Sequence, residues 1–261
     1  MDKSPQDITL QLDEISSTAG VGYENRLYEK SFYKYPLIMN YALLTNKIVD
    51  YERSGSTEDT TADETNIKRY LALFEIETLL FNYLSAAKMF EDNTYCFLKK
   101  HYCNEVFLKT YEEYHLNNIK KNTDCRFMKD LRNLGVHKTS PAIFLQTKET
   151  VNVVATDVLF NCKTLLEDYD RWSSTSRSML MKHKDQNKWL SVKVVAASHY
   201  TSLINIAAFL DDLLAVHHAD DIAEIYALRE SHVKIGSPRG HKFPFVPVND
   251  ILQAVEKKYV G

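Results

Sequence analysis

The chain is poor in the residues that punctuate a many-turned fold. It has 7 glycines and 6 prolines in 261 residues. So few breakers over that length favour long helices over a β fold built from many short strands. No apolar run approaches the ~20 residues needed to span a bilayer, so no membrane segment is expected. No CxxC pair joins any two of Cys96, Cys103, Cys125 and Cys162, and nothing near Met1 reads as a secretory leader. The four thiols are therefore expected reduced, in a cytoplasmic protein. There is no Gly-rich phosphate loop, no G-x-S-x-G and no HExxH. Neither sign of charge dominates: the formal net charge is −3, so contact with nucleic acid would have to come from a local patch.

What is present is ordinary globular composition, 44% hydrophobic and 26% charged, with 16 tyrosines. Residues 1–35 are polar and weakly periodic, with Gly20 and Gly22 close together, and read as an irregular arm. The segment 36–52 has helical spacing, with Pro36 suited to a first turn. Residues 53–65, RSGSTEDTTADET, read as a linker. The strongest helix follows over 64–93, where Ile67, Leu71, Phe74, Leu79, Phe81, Leu84, Ala87 and Phe90 cover a broad apolar face. Further helices are expected within 95–121 and over 123–137, the latter opened by Thr123–Asp124. Two β-like runs, Ala142–Gln146 and Val151–Ala155, suggest a hairpin over 141–156. Thr156–Asp157 should then cap a helix from about Val158. A long helix from near Trp189 and a shorter one over Asp220–His232 complete a bundle spanning 36–232. Residues 233–261 hold three prolines and read as an extended tail with a short helix at 251–258. The fold class is thus mostly α, a helical bundle with a small β-hairpin insertion.

The stretch DLRNLGVHKT (130–139) carries the chemistry. On a helix, Phe127, Met128, Leu131 and Leu134 form one apolar stripe, with Lys129, Asp130, Asn133 and His137 on the opposite side. Arg132 and His137 diverge by ~140°, so an intact helix does not bring them to one point. Either Gly135 ends the helix and lets His137 turn back, or another element or another chain completes the site. A histidine can take a proton from a ribose 2′-hydroxyl, an arginine can hold a phosphate and the charge that grows on it, and an asparagine can orient the imidazole. These suffice for metal-free cleavage of RNA by its own 2′-oxygen. The competing structural reading is a polar helix end, since Arg, Asn and His are common there.

DLRNLGVHKTSP resembles the Arg-polar-x3-His motif of the HEPN superfamily (higher eukaryotes and prokaryotes nucleotide-binding). The preceding IETLLFNYLSAAKMFED resembles the long helix of bacterial HEPN-like proteins, with Asn82, Tyr83, Leu84, Ala86 and Lys88 in the matched pattern. PAIFLQ, DRW and FLDDLL extend the similarity over about 36–230. The resemblance implies a bundle of four or five helices and a homodimer whose two motifs face one cleft. It implies a metal-independent endoribonuclease without cofactor, leaving a 2′,3′-cyclic phosphate. RNA would be the substrate, and an antitoxin or regulatory protein a further partner, as befits a toxin or defence effector. Arg132 would stabilise the transition state, His137 would be the catalytic histidine and Asn133 the polar residue beside the arginine. Asn82, Asp130 and Lys138 are the expected RNA-binding or supporting residues. The alternative is a non-catalytic HEPN-like module that binds nucleotide, RNA or protein.

Two other stretches invite chemistry. VHHADD (216–221) sets His217 and His218 beside Asp220 and Asp221, but ligands so crowded fit a helix boundary better than a metal site. SPRGHKFPF (237–245) is basic and aromatic, and reads as an arm packing its phenylalanines rather than stacking on bases.

Overall fold

The computed structural model describes residues 17–54, 62–103, 105–137, 142–150, 153–186 and 189–234. The order is α1 (Ala19–Ser54), α2 (Ala62–His101), α3 (Glu105–His115), a π-helical turn (Leu116–Lys120), α4 (Thr123–His137), β1 (Ile143–Thr150), β2 (Val153–Phe160), α5 (Cys162–Asp168), α6 (Ser174–Asp185), β3 (Leu190–Ser191), α7 (Val192–His217) and α8 (Ala219–Lys234). The fold is mostly α with a small antiparallel sheet, as the composition implies. No helix among the described residues is long and apolar enough to cross a membrane. All four cysteines are free thiols.

The chain divides into two compact units. One runs from Pro36 to Ile206; the other combines the chain up to Tyr35 with that from Ala207 onward. In the larger unit the core is built from Leu37, Ile38, Leu44 and Ile48 of α1, Ile76, Leu80, Tyr83 and Leu84 of α2, the apolar stripe of α4, and Val195, Ala196 and Leu203 of α7, all buried. The α4 stripe behaves as its spacing requires: Phe127, Met128, Leu131 and Leu134 have no solvent exposure. Phe127 packs edge-on against Phe160 (5.2 Å) and stacks on Trp172 (5.7 Å). The Trp172 indole N–H donates to the Leu165 carbonyl (2.9 Å), so a large ring is buried with its one polar group satisfied.

Several expected boundaries move. The capping residue of α4 is Asn122, whose Oδ1 accepts from the backbone N–H of Asp124 (2.9 Å) and Cys125 (3.1 Å), rather than Thr123 or Asp124. The hairpin occupies 143–160 instead of 141–156, in a register pairing Ile143 with Phe160 and Thr150 with Val153. The helix expected from Val158 is therefore strand there. Val158, Leu159 and Phe160 are all buried, and a short continuous apolar run fits a covered strand as well as a helix. Asn161 then caps α5, accepting from Thr164 N–H (3.1 Å). The chain breaks at Tyr169 and restarts as α6 with Ser173 as its cap. Leu190–Ser191 pairs with β2 before α7 begins, so that helix starts at Val192 rather than near Trp189.

The broad apolar face assigned to α2 is only partly covered. Leu84, Ala87 and Phe90 are buried, but Ile67, Leu71 and Phe74 are 61%, 64% and 71% exposed, with Tyr70 beside them at 74%. Glu75 pairs with Lys47 of α1 (2.6 Å). Most of the linker and the whole tail from residue 235 lie outside the described residues.

The smaller unit corrects the irregular arm expected over 1–35, because α1 already begins at Ala19 and Pro36 lies inside it rather than in its first turn. Gly20 is helical for a packing reason. A Cβ there would meet the Asp221 carbonyl oxygen at 2.5 Å and Ile225 Cβ at 2.7 Å. In this unit Tyr23 stacks on His218 (4.4 Å), and the His218 ring meets Asp221 through Nδ1 and Oδ2 (2.6 Å). Buried Lys30 pairs with Asp211. VHHADD is accordingly the junction of α7 and α8.

Candidate functional site

Arg132 and Asn133 line a groove whose wall is built by α2, α3, the π-helical turn, α4 and α7. From α2 come Leu84, Ala87, Lys88 and Glu91, which recur at positions i, i+3, i+4 and i+7 and so share one face. From α4 come Arg126, Lys129 and Asn133, at i, i+3 and i+7, with Arg132 adjoining. His115 closes α3, and Ile119 and Lys120 follow from the π-helical turn. His199 of α7 also reaches the lining. Five cations, Lys88, Lys120, Arg126, Lys129 and Arg132, thus meet one carboxylate, Glu91. Lys88 is bridged to Asp92, one turn further along α2.

The Arg132 side chain has a buried Nε that finds no hydrogen-bond partner among the described residues. A buried donor of this kind is costly unless it is satisfied, and an anion brought against the guanidinium would satisfy it. The imidazoles differ. His199 is buried, and its Nδ1 lies 2.9 Å from the Tyr83 hydroxyl. Burial pushes its pKa down to about 4, against the upward pull of Glu91 and Asp124. Tyr83 is itself held well above the ordinary phenol range, by burial first. This pair is a neutral, hydrogen-bonded floor. His115 is instead part-exposed, with Nε2 3.8 Å from Glu91 Oε1. Cys125, also in the lining, has its thiol pushed up to about 11 by burial and is no nucleophile near neutral pH.

The expected site residues separate. Arg132 and Asn133 share the groove. Asp130 does not face solvent with Asn133: it is buried, and its Oδ2 accepts from the Ser173 N–H (3.0 Å) and the Ser176 hydroxyl (2.7 Å). It fastens the N-terminus of α6 to α4, and the anionic side chain suits the positive end of that helix. Asn82 is exposed on α2, two residues before Leu84 and so ~200° round the helix from it, outside the groove lining. Of the pattern it was matched in, Leu84 and Lys88 line the groove and Tyr83 meets His199. The backbone of α4 is helical through His137, so Gly135 does not end it. Gly135 is instead where α4 meets Phe81 of α2: a Cβ would fall 1.7 Å from Phe81 Cζ. The side chain of His137 and all of Lys138 lie outside the described residues. Among the described residues no group of three or more His, Cys, Asp or Glu is placed to hold a metal ion.

The sequence reading missed Lys88, Glu91, His115, Lys120, Arg126, Lys129 and His199 as neighbours of Arg132. The helical repeats 84-87-88-91 and 126-129-133 were available signals. The convergence of His115 was not, since it depends on how α3 and its π-helical turn pack. Comparison of the chain with protein-family models, with curated proteins and with solved structures found no match.

Proposed function

We propose that the groove binds the phosphate backbone of RNA and that the protein is a metal-independent endoribonuclease of the HEPN type. The observation that carries this reading is Arg132, whose buried Nε is unpartnered in a groove lined by four further cations. Positive charge gathered on one surface of a chain with net charge −3 is the local patch that a polyanion needs. In this reading Arg132 holds the scissile phosphate and the charge that develops on it, and Asn133 lies beside it as a hydrogen-bonding group. His137, one turn beyond Asn133 on an unbroken helix, takes the 2′-hydroxyl proton. The 2′-oxygen attacks phosphorus, and a cyclic phosphate and a 5′-hydroxyl are released.

Because α4 stays helical to His137, the ~140° between Arg132 and His137 persists along the backbone. A second copy of the chain, bringing a second motif to one cleft, is the arrangement that resolves it. A role as toxin or defence effector, with a regulatory partner, belongs to the same proposal.

The test is incubation of the full chain with a mixed RNA pool, with and without excess EDTA. Cleavage in EDTA is expected, lost when the ribose at the cut site is 2′-deoxy. Arg132→Ala and His137→Ala should each cost about a hundredfold or more. Cleavage that survives both substitutions would overturn the mechanism. RNA binding without cleavage, abolished by Arg132→Ala, would leave a binding module in its place.

A further inference from the structure

A base and a phosphate-binding cation leave one requirement of RNA cleavage unmet. The 5′-oxygen departs as an alkoxide unless a proton reaches it, and a second titrating group that gives one is worth about a hundredfold or more. Two imidazoles line the groove with Arg132, those of His115 and His199. His199 is unsuited, being buried against the Tyr83 hydroxyl with its proton affinity lowered. His115 stands in different surroundings. It arrives at the end of α3 and lines the same groove as Arg132 and Asn133 of α4. Its side chain keeps 18% exposure and that of Glu91 22%, so both are sheltered yet reachable. Tyr111, four residues earlier and buried, stacks on the ring at 6.0 Å with planes 28° apart, which restricts its rotation. Glu91 Oε1 lies 3.8 Å from Nε2, within ion-pair range and a small adjustment short of a hydrogen bond. Such contacts commonly tighten when substrate arrives. A carboxylate at one edge of an imidazole leaves the other nitrogen to exchange protons with substrate.

We infer that His115, positioned by Glu91, is the general acid for the 5′-oxygen. This rests on the RNA-cleaving reading of the same groove. The step balances as follows. The 2′-O–H bond breaks and its proton passes to His137. The 2′-O–P bond forms as the P–O5′ bond breaks. The leaving oxygen takes a proton from protonated His115, through the nitrogen turned away from Glu91. His115 is left neutral and His137 protonated; His137 then releases its proton to solvent and His115 takes one up, so no net proton is consumed. No redox change and no co-reactant are involved.

The experiment uses the full chain and an oligonucleotide carrying one cut site mapped on the RNA pool, made with either the normal 5′-oxygen or a bridging 5′-sulfur. A thiolate leaves without protonation. His115→Ala should lower cleavage of the oxygen substrate about a hundredfold and cleave the sulfur substrate close to the wild-type rate. Glu91→Gln should show a smaller loss, relieved in the same way. His137→Ala should fail on both substrates, because the 2′-hydroxyl must still be deprotonated. His217→Ala, outside the groove, is the control, and circular dichroism reports folding of each variant. Undiminished cleavage of the oxygen substrate by His115→Ala would overturn the inference alone. So would equal impairment on both substrates, which marks a binding or structural role. A wild-type protein that cuts neither substrate would overturn the RNA-cleaving reading, and the inference with it.

Discussion

Replacing Gly135 by alanine sets two effects of opposite sign against each other. In a helix interior, alanine is favoured over glycine by about 1 kcal/mol. At this position, however, the new Cβ would lie 1.7 Å from Phe81 Cζ and 1.8 Å from Cε1. Ordinary carbon–carbon contact is ~3.5–4 Å, so the ring or the helix must retreat by roughly 2 Å. Overpacking of that kind costs about 1–3 kcal/mol. Phe81 is only half-buried and can yield in part. The expected net loss is therefore about 0–2 kcal/mol. In a Phe81→Ala background the obstruction is gone, and the same substitution should stabilise by about 1 kcal/mol. The coupling between the two sites should then be about 1–3 kcal/mol, read from a double-mutant cycle. Urea unfolding followed by tryptophan fluorescence is the assay, since Trp172 is buried in the unit that holds both residues. Each kcal/mol should also move Tm by about 2–4 °C. A stabilising effect of Gly135→Ala in the wild-type background, or the same penalty in both backgrounds, would refute the reasoning.

Asp130→Ala should destabilise by about 2–3 kcal/mol, because it leaves the Ser173 N–H and the Ser176 hydroxyl without their acceptor; chemical denaturation checks it. His199 has its pKa lowered to about 4, below the ordinary 6.5, so its neutral form is the one the fold accepts. Its contribution is whole above pH 6.5 and is lost as pH falls towards 4, by about 3 kcal/mol in all. Thermal melts across that window should show a slope that His199→Gln flattens. His218→Ala should lower Tm, since it removes the ring between Tyr23 and Asp221, whereas exposed His217→Ala should leave Tm nearly unchanged. Light scattering at tens of micromolar should report a dimer of the full chain, and a monomer would count against a cleft shared between two motifs.

Where one face of a helix meets one core, the pattern was legible. The stripe of Phe127, Met128, Leu131 and Leu134 and the span of α4 follow directly from the 3.6-residue repeat. The reading failed where tertiary contact decides. Gly20 looks like a loop residue until Asp221 and Ile225 are seen against it. Val158–Phe160 has no periodicity to separate strand from helix, and its pairing with β1 and β3 lies in other segments. Asp130 shares a helix face with Asn133 by arithmetic, yet the loop before α6 covers it. In the site, Arg132 and Asn133 are singled out by the resemblance of their motif, and Glu91 shares the 84-87-88-91 face of α2. His115 could not be read, because nothing in the sequence states that α3 closes the same groove.

The burial of Asp130 makes the motif helix a poor subject for simple alanine scanning. Less than one turn holds a residue that anchors α6 and, two positions later, one that faces the groove. Loss of activity in Asp130→Ala would look like loss of a catalytic carboxylate, although the substitution acts by loosening the seat of α6. The same economy limits drift. In the proposed mechanism Arg132 serves the chemistry, whereas Asp130 is held by the fold even in a descendant without that chemistry. A chain that keeps this aspartate while losing the arginine would be a relic of the architecture rather than of the activity.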